Sequence, residues 1–399
     1  MINSFRSSIF FGIYMYNYSK FFIIISLIFG CSNKKDESIF AAIPVTSIEF
    51  PLDNETANFG GNRVQLANLN SKDILLLSNP IFNRIYQYDY NNQELIGSTD
   101  YPVEGPKGVG NVSNFYFHNR DTILISGKNV NWFFITDLGN SYMERFNFDF
   151  SREDRGKVPV ATEQSGIIFH DQSVFLTNPI AYVPGMYAAP EEYKKIENSN
   201  FAVEYNIYSP AFVSNDLLFP IEYTKSVYSD YFNFMSQEKV GDNIIYSFGL
   251  SDSIIVFNTK DQEIIKHIAS SYLADDLPKV SLANSVEEIG PEHEQYRLTT
   301  FLNSMNYGKI FYDSYKELYY RVVEKPKPEI VVDVPQRTKP FGIIVLNKNF
   351  EKIMEVDFEY GKYVLSNMFV SSKGLNVLNY EKILTDESHI VFDVFDFSK

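Results

Sequence analysis

Six stretches of this chain repeat one local grammar, and that repetition constrains the fold more than any single residue does. In four of them a run of strand formers ends in Asp or Asn at a polar turn, and an apolar residue stands six positions later. These are Ile85-Tyr86-Gln87-Tyr88-Asp89 with Leu95, Phe133-Phe134-Ile135-Thr136-Asp137 with Met143, Ile254-Ile255-Val256-Phe257-Asn258 with Ile264, and Ile343-Ile344-Val345-Leu346-Asn347 with Ile353. Two weaker members are Val203-Glu204-Tyr205-Asn206 with Phe212, and His389-Ile390-Val391-Phe392-Asp393 near the C-terminus. β-branched and aromatic residues suit a pleated, half-buried surface, and a short polar side chain at a turn can bond back to its own backbone. Each unit therefore reads as a strand, a tight turn and a second strand. The turn positions 89, 137, 206, 258, 347 and 393 lie 48, 69, 52, 89 and 46 residues apart. Intervals near fifty residues suit one four-stranded propeller blade, and the two longer ones require insertions.

The pattern predicts an all-β, six-bladed β-propeller over residues 41–399, with loop and helical insertions. Almost no chain follows Asp393 to supply an outer strand for the last blade, while Val45-Thr46-Ser47-Ile48-Glu49-Phe50 is a strand with no blade of its own. Pairing the two closes the ring and removes edges that invite aggregation. Further strands fit the frame at Ile74–Leu77, Thr122–Ile125, Ile244–Phe248 and Lys309–Tyr312. A β-sandwich or a pair of smaller β domains is the alternative. Glycine is scarce, 20 in 399 residues, so Asn and Asp are expected at many turn sites with positive φ. Three stretches interrupt the repeat: residues 178–200, residues 271–305 and the Pro-rich segment 326–340. Long connections on a rigid scaffold are common places for binding.

The N-terminus reads as a targeting segment rather than as part of the fold. Arg6 and Lys20 precede an apolar run from Phe21 to Phe29, and no acidic residue occurs before Cys31. Met1 and Met15 are both candidate starts. Ile28-Phe29-Gly30-Cys31 resembles the lipobox of a bacterial lipoprotein, which implies cleavage after residue 30 and lipidation of Cys31. The run is too short for the roughly 20 residues that span a bilayer, whereas two or three acyl chains at about 0.8 kcal/mol per buried CH₂ hold a protein on one. The expected organisation is a signal peptide at 1–30, a lipidated tether at 31–40 and the propeller at 41–399. In the tether, Lys35-Asp36-Glu37 is similar to the surface-export signal of Bacteroidetes lipoproteins, which implies an outer-membrane lipoprotein exposed on the cell surface. With Cys31 lipidated no other cysteine remains, so the mature domain has no disulfide.

Asp and Glu number 50 against 35 Lys and Arg, a net charge of −15 that argues against nucleic acid as a partner. No segment matches GxSxG, HExxH, a P-loop, GxGxxG or an EF-hand loop. The histidines His118, His170, His267, His293 and His389 are dispersed. His293 between Glu292 and Glu294 reads as an exposed charged face, and Asp275-Asp276 as a cap or solvated pair, so no metal site is predicted. The best ligand-binding candidates are Tyr182 and Tyr187 in the first interruption, with Tyr228 and Tyr231 in the aromatic stretch Tyr223 to Phe234. A tyrosine joins a flat apolar face to a polar tip and can stack on a sugar or anchor a protein, although packing between blades also accounts for such a cluster. Trp132, inside a repeat strand, is expected in the core.

Leader, acidic β-rich body and blade pattern together resemble an uncharacterised Bacteroidetes lipoprotein family, a domain of unknown function with a TolB-like six-bladed propeller. The resemblance implies fold and location and carries no activity. Two functions fit the sequence. The first is a non-enzymatic scaffold on a lipid anchor that binds an envelope protein, peptide or glycan without a cofactor. The alternative is a lactonase-like or glycan-cleaving propeller hydrolase using Ca²⁺ in its channel.

Overall fold

The computed structural model describes residues 39–56, 63–105, 107–127, 132–148, 161, 166–177, 200–209, 211–213, 216–226, 228–233, 235–274, 281, 296–328 and 339–398. Two short strands come first, β1 (Ile39–Ala41) and β2 (Thr46–Pro51). Blade 1 holds β3 (Val64–Leu69), β4 (Lys72–Asn79), β5 (Arg84–Asp89) and β6 (Glu94–Asp100), and blade 2 holds β7 (Asn114–Asn119), β8 (Thr122–Ser126), β9 (Trp132–Thr136) and β10 (Met143–Asn147). Blade 3 comprises β11 (Ile168–His170), β12 (Ser173–Thr177), β13 (Ala202–Asn206) and β14 (Ala211–Val213), and blade 4 comprises β15 (Met235–Val240), β16 (Asn243–Phe248), β17 (Ser253–Asn258) and β18 (Ile264–Ile268). A short helix α1 (Arg297–Leu302) precedes blade 5, built from β19 (Asn306–Asp313), β20 (Leu318–Glu324), β21 (Phe341–Leu346) and β22 (Lys352–Asp357). Blade 6 takes β23 (Tyr363–Ser371), β24 (Gly374–Asn379) and, after helix α2 (Tyr380–Thr385), β25 (His389–Phe395).

The six sheets follow chain order, and the innermost strands touch in the cycle β3, β7, β11, β15, β19, β23 and back to β3. This is the six-bladed propeller that the repeat predicts. Its closure is also as expected: β2 pairs antiparallel with β25, Ile48 opposite Phe392, and supplies the outer strand of blade 6. The sequence pattern gave no sign of β1, which adds in parallel to β22 as a fifth strand of blade 5. The propeller unit consequently begins at Ile39, two residues before the expected boundary.

Six buried clusters fill the six seams between neighbouring blades. Successive side chains of a strand point to opposite faces, so each middle strand feeds two seams. Ile74 and Leu76 join the seam with blade 2 while Leu75 and Leu77 join the seam with blade 6. That double burial explains why middle strands read as unbroken apolar runs rather than alternating ones. At the seam of blades 3 and 4, Phe201 meets Tyr246 and Phe248 edge-on at ring separations of 4.9 and 4.8 Å.

Five of the six repeated Asp or Asn positions do form turns. Asp89 accepts from the N–H groups of Asn91 and Asn92, Asp137 from Ser141, Asn206 from Tyr208 and Ser209, Asn258 from Lys260 and Asp261, and Asn347 from Asn349 and Glu351. Asp313, outside the expected series, holds its hairpin in the same way. Asp393 is the exception. It lies inside β25, buried, and accepts from Ser47 on β2, Tyr363 on β23 and Asn379 at the start of α2. The closing strand needs a polar knot there, not a turn. Asn70, Asn83, Asn140, Asp171 and Asn367 take positive φ, as the scarcity of glycine predicts.

Antiparallel order puts all hairpins between first and second strands, and between third and fourth, at one end of the ring. The second-to-third connections and the links between blades leave from the other end. Every long connection is of this latter kind: 101–113, 148–167, 178–201, 214–234, 269–305 and 325–340. The ring thus has a tight-turn end and an insertion end.

Candidate functional site

The first strands of all six blades surround one central cavity of about 390 Å³. Several carry polar residues where the second strands are apolar, among them Gln65, Asn114, Ser236 to Lys239 and Lys309. Neighbouring walls are sewn together. Gln65 on β3 donates to the carbonyl of Phe117 on β7 and accepts from its N–H, at 2.9 and 2.8 Å. Ser236 on β15 accepts from the N–H of Ile310 on β19 at 3.1 Å.

Among the described residues, the charged groups of the cavity wall are Arg63, Glu238, Lys239 and Lys309. Protein surrounds Glu238 although its side chain keeps contact with the channel, and this desolvation pushes its carboxyl up to about 8. The Tyr312 N–H and the Lys309 ammonium favour the anion but do not outweigh burial. Burial, reinforced by Glu238, raises Tyr116 across the channel and lifts Tyr319 to about 12. Lys239 is pushed down by desolvation, against the pull of Asp171 and Asp242.

Those acids belong to a cluster at the tight-turn end. His170 Nε2 lies 3.5 Å from Asp242 and 3.6 Å from Asp171, and Asp242 pairs with Lys260 at 2.7 Å. His118 is held below its ordinary value by burial, with Lys239 and His170 adding to the effect. Among the described residues no three His, Cys, Asp or Glu side chains converge as a metal site. Among the described residues a Ca²⁺ would find one carboxylate in the cavity wall, beside three cations.

Two buried cations hold the structure and do not line the channel. Arg321 spends its guanidinium on the carbonyls of Ser251, Asp252, Ser253 and Ala269 and on the Ser247 hydroxyl, tying blade 5 to blade 4. Lys339 donates to the carbonyls of Phe301 and Ser304 and to Asn306, which ties the end of connection 325–340 to α1.

Of the residues expected to bind ligand, Tyr228 and Tyr231 sit half-buried at the rim of the seam between blades 3 and 4. Tyr231 stacks on Phe301 at 5.3 Å and Tyr228 meets Phe232 edge-on at 6.3 Å. Tyr223 and Phe232 of the same stretch are buried in the seam itself. Tyr182, Tyr187, Cys31, His293 and Asp275-Asp276 lie outside the described residues. Trp132 opens β9 half-buried against Phe134, rather than deep in the core. Glu238, Lys239 and Lys309 escaped the sequence reading. Their signal was there: Ser236-Gln237-Glu238-Lys239 is a polar stretch placed directly before the largely apolar, buried strand Asn243–Phe248, which in a propeller marks a channel wall.

The family model described as a domain of unknown function, DUF4221, matches residues 45–357. This chain belongs to the DUF4221 family. Its propeller superposes on a crystal structure of a DUF4221 member from Bacteroides vulgatus with a TM-score of 0.70 at 20% identity, covering 90% of this chain and 99% of that one. A crystal structure of a protein named as exported, from Bacteroides fragilis, matches with a TM-score of 0.53 at 10% identity over 90% and 98% of the two chains. These likenesses establish the DUF4221 fold. None of the curated proteins matches the sequence.

Proposed function

We propose that this DUF4221 propeller is a non-enzymatic binding scaffold, tethered to the cell envelope through lipid on Cys31, that presents its insertion end to an envelope protein, peptide or glycan. The observation that carries this reading is the segregation of every long connection to one end of a ring otherwise closed by tight turns. Tyr228 and Tyr231 belong to connection 214–234 at that end, and each keeps part of its ring in solvent. Tyr182 and Tyr187 fall in connection 178–201. The leader pattern ending at Cys31 supports the envelope location, and the name of the Bacteroides fragilis neighbour agrees with it. No helix among the described residues is long and apolar enough to cross a membrane.

Binding is tested with residues 31–399 on arrays of envelope glycans and peptides. Tyr228→Ala combined with Tyr231→Ala, and separately replacement of residues 180–198 by a short Gly-Ser linker, should weaken retention. Lys260→Ala at the opposite end should not. Equal retention by all variants would overturn the placement of the site. Labelling of the full chain with radioactive palmitate, lost in Cys31→Ser, tests the anchor.

A further inference from the structure

We propose that the central channel is a second site, one that binds a small organic carboxylate such as a sugar acid or hydroxy acid, through Lys239 and Lys309. This goes beyond the insertion-end reading and stands on different residues. The cavity of about 390 Å³ is walled by all six blades, and its size falls in the roughly 300–1,000 Å³ range of small-molecule pockets. A ligand there is surrounded laterally by strands, which are more rigid than loops.

The charge of the wall runs against the charge of the chain. Acids outnumber bases 50 to 35 in the sequence, yet among the described residues the wall holds Arg63, Lys239 and Lys309 against Glu238. Surfaces that only need solubility have no reason to invert their sign at the one place where desolvation makes cations costly. An anion entering the channel offsets that cost, and an electropositive cleft in an acidic protein concentrates anions at its own mouth. Glu238 strengthens the field rather than cancelling it. With its pKa near 8 the carboxyl is mostly neutral at pH 7, and it then offers an O–H donor to a carboxylate. The groups that face it are Tyr116 from β7, Lys309 and the Tyr312 N–H from β19, and Tyr319 from β20, with Lys239 next to it on β15. Tyr116 and Tyr319 are held protonated well above neutral pH, so neither adds a competing negative charge.

Ligand selection follows from the other lining groups. Asn114, Tyr116 and Tyr312 supply hydrogen-bonding groups around the wall, while half-buried Phe311 supplies flat apolar surface. A hydroxylated carboxylate uses both; a bare inorganic anion makes no use of the flat face.

The experiment is calorimetric titration of residues 31–399 with glucuronate, galacturonate, citrate and malate, with glucose and inorganic phosphate as controls. At least one carboxylate should bind at low salt and weaken as salt rises, and glucose should not bind. Lys239→Met and Lys309→Met should each lower the affinity by roughly tenfold or more, about the loss of one charged contact. Glu238→Gln should keep the binding at pH 7 and abolish its decline between pH 7 and 9, since the amide donates at every pH. The salt dependence of the unmodified protein decides the matter if a lysine variant fails to fold. Absence of heat with all four carboxylates overturns the proposal, as does binding indifferent to salt or to both lysine substitutions. Deleting residues 180–198 should leave this binding intact, which separates its failure from failure of the insertion-end site.

Discussion

At the tight-turn end of the ring, connections within blades run two to six residues, and among the described residues seven of them are pinned by an Asp or Asn side chain bonded to its own turn. At the insertion end, connections reach the length of residues 269–305, and what holds the described parts is burial: Phe219, Tyr223 and Phe232 in a seam, and Lys339 in a cage of carbonyls. The first end is specified locally, by side chains acting within about four residues of themselves. The second is specified by distant partners. A chain built this way can change length and composition at the insertion end while the ring keeps its register, which is the division of labour expected of a scaffold.

The contrast holds only while the ring is closed, and opening it has the largest expected effect. Removing residues 39–51 strips the outer strand from blade 6 and the fifth strand from blade 5, and takes Ile48 and Phe50 out of the seam between blades 6 and 1. The truncated chain should lose its cooperative thermal transition by circular dichroism. Phe50→Ala, fully buried, should cost about 3–5 kcal/mol in urea unfolding. A sharp, unshifted melt in the truncation would mean that closure contributes nothing to stability.

Next in size is a comparison between the ends. Gly374 turns the β23–β24 hairpin at φ 133°, and a Cβ there would lie 2.1 Å from the Phe395 carbonyl oxygen. Gly374→Ala should cost more than about 2 kcal/mol, because backbone must move. Ile221 at the insertion end is 57% exposed, and Ile221→Ala should change stability by less than about 0.5 kcal/mol. Similar costs at the two sites would erase the distinction. A smaller effect is expected at Asn258, whose side chain accepts from Lys260 at 2.9 Å and Asp261 at 3.3 Å. Asn258→Ala should cost about 1 kcal/mol, read by the same unfolding curves.

Legibility in the sequence divides along the same line. Blade number, the third strands and the closing strand were readable because a strand followed by an Asx turn is a local event repeated in order. Asp393 misled, since an aromatic residue followed by Asp or Asn, which ends a strand at Tyr88-Asp89 and Phe257-Asn258, is followed here by more strand and meets Ser47 from the far end of the chain. β1 carried no readable pattern: three residues paired with a strand more than 300 positions away. The apolar residue six positions after each turn was read correctly as strand, but it opens the outermost strand, and Leu95, Phe212, Ile264 and Ile353 are all more than a third exposed. The channel groups were hidden for a further reason. Lys309 and Glu238 sit far apart in sequence and meet only when blades 4 and 5 pack side by side.

The last test asks whether the insertion end is held by one buried ion. Lys339 is 1% exposed, packs 4.3 Å from the Phe301 ring and is pushed down to about 8 by desolvation, with Glu324 pulling the other way. In the unfolded chain its pKa returns to about 10.4. Between the two values the unfolded chain keeps a proton that the native state has lost, so this group's contribution to stability rises with pH across that interval and is flat below it. Urea unfolding of the unmodified protein and of Lys339→Met at pH 7.5 and pH 10 separates this lysine from the tyrosines, whose titration is common to both. The stability difference between the two should move in favour of the unmodified protein at pH 10. A difference that stays constant would show that Lys339 keeps its ordinary pKa in the native state.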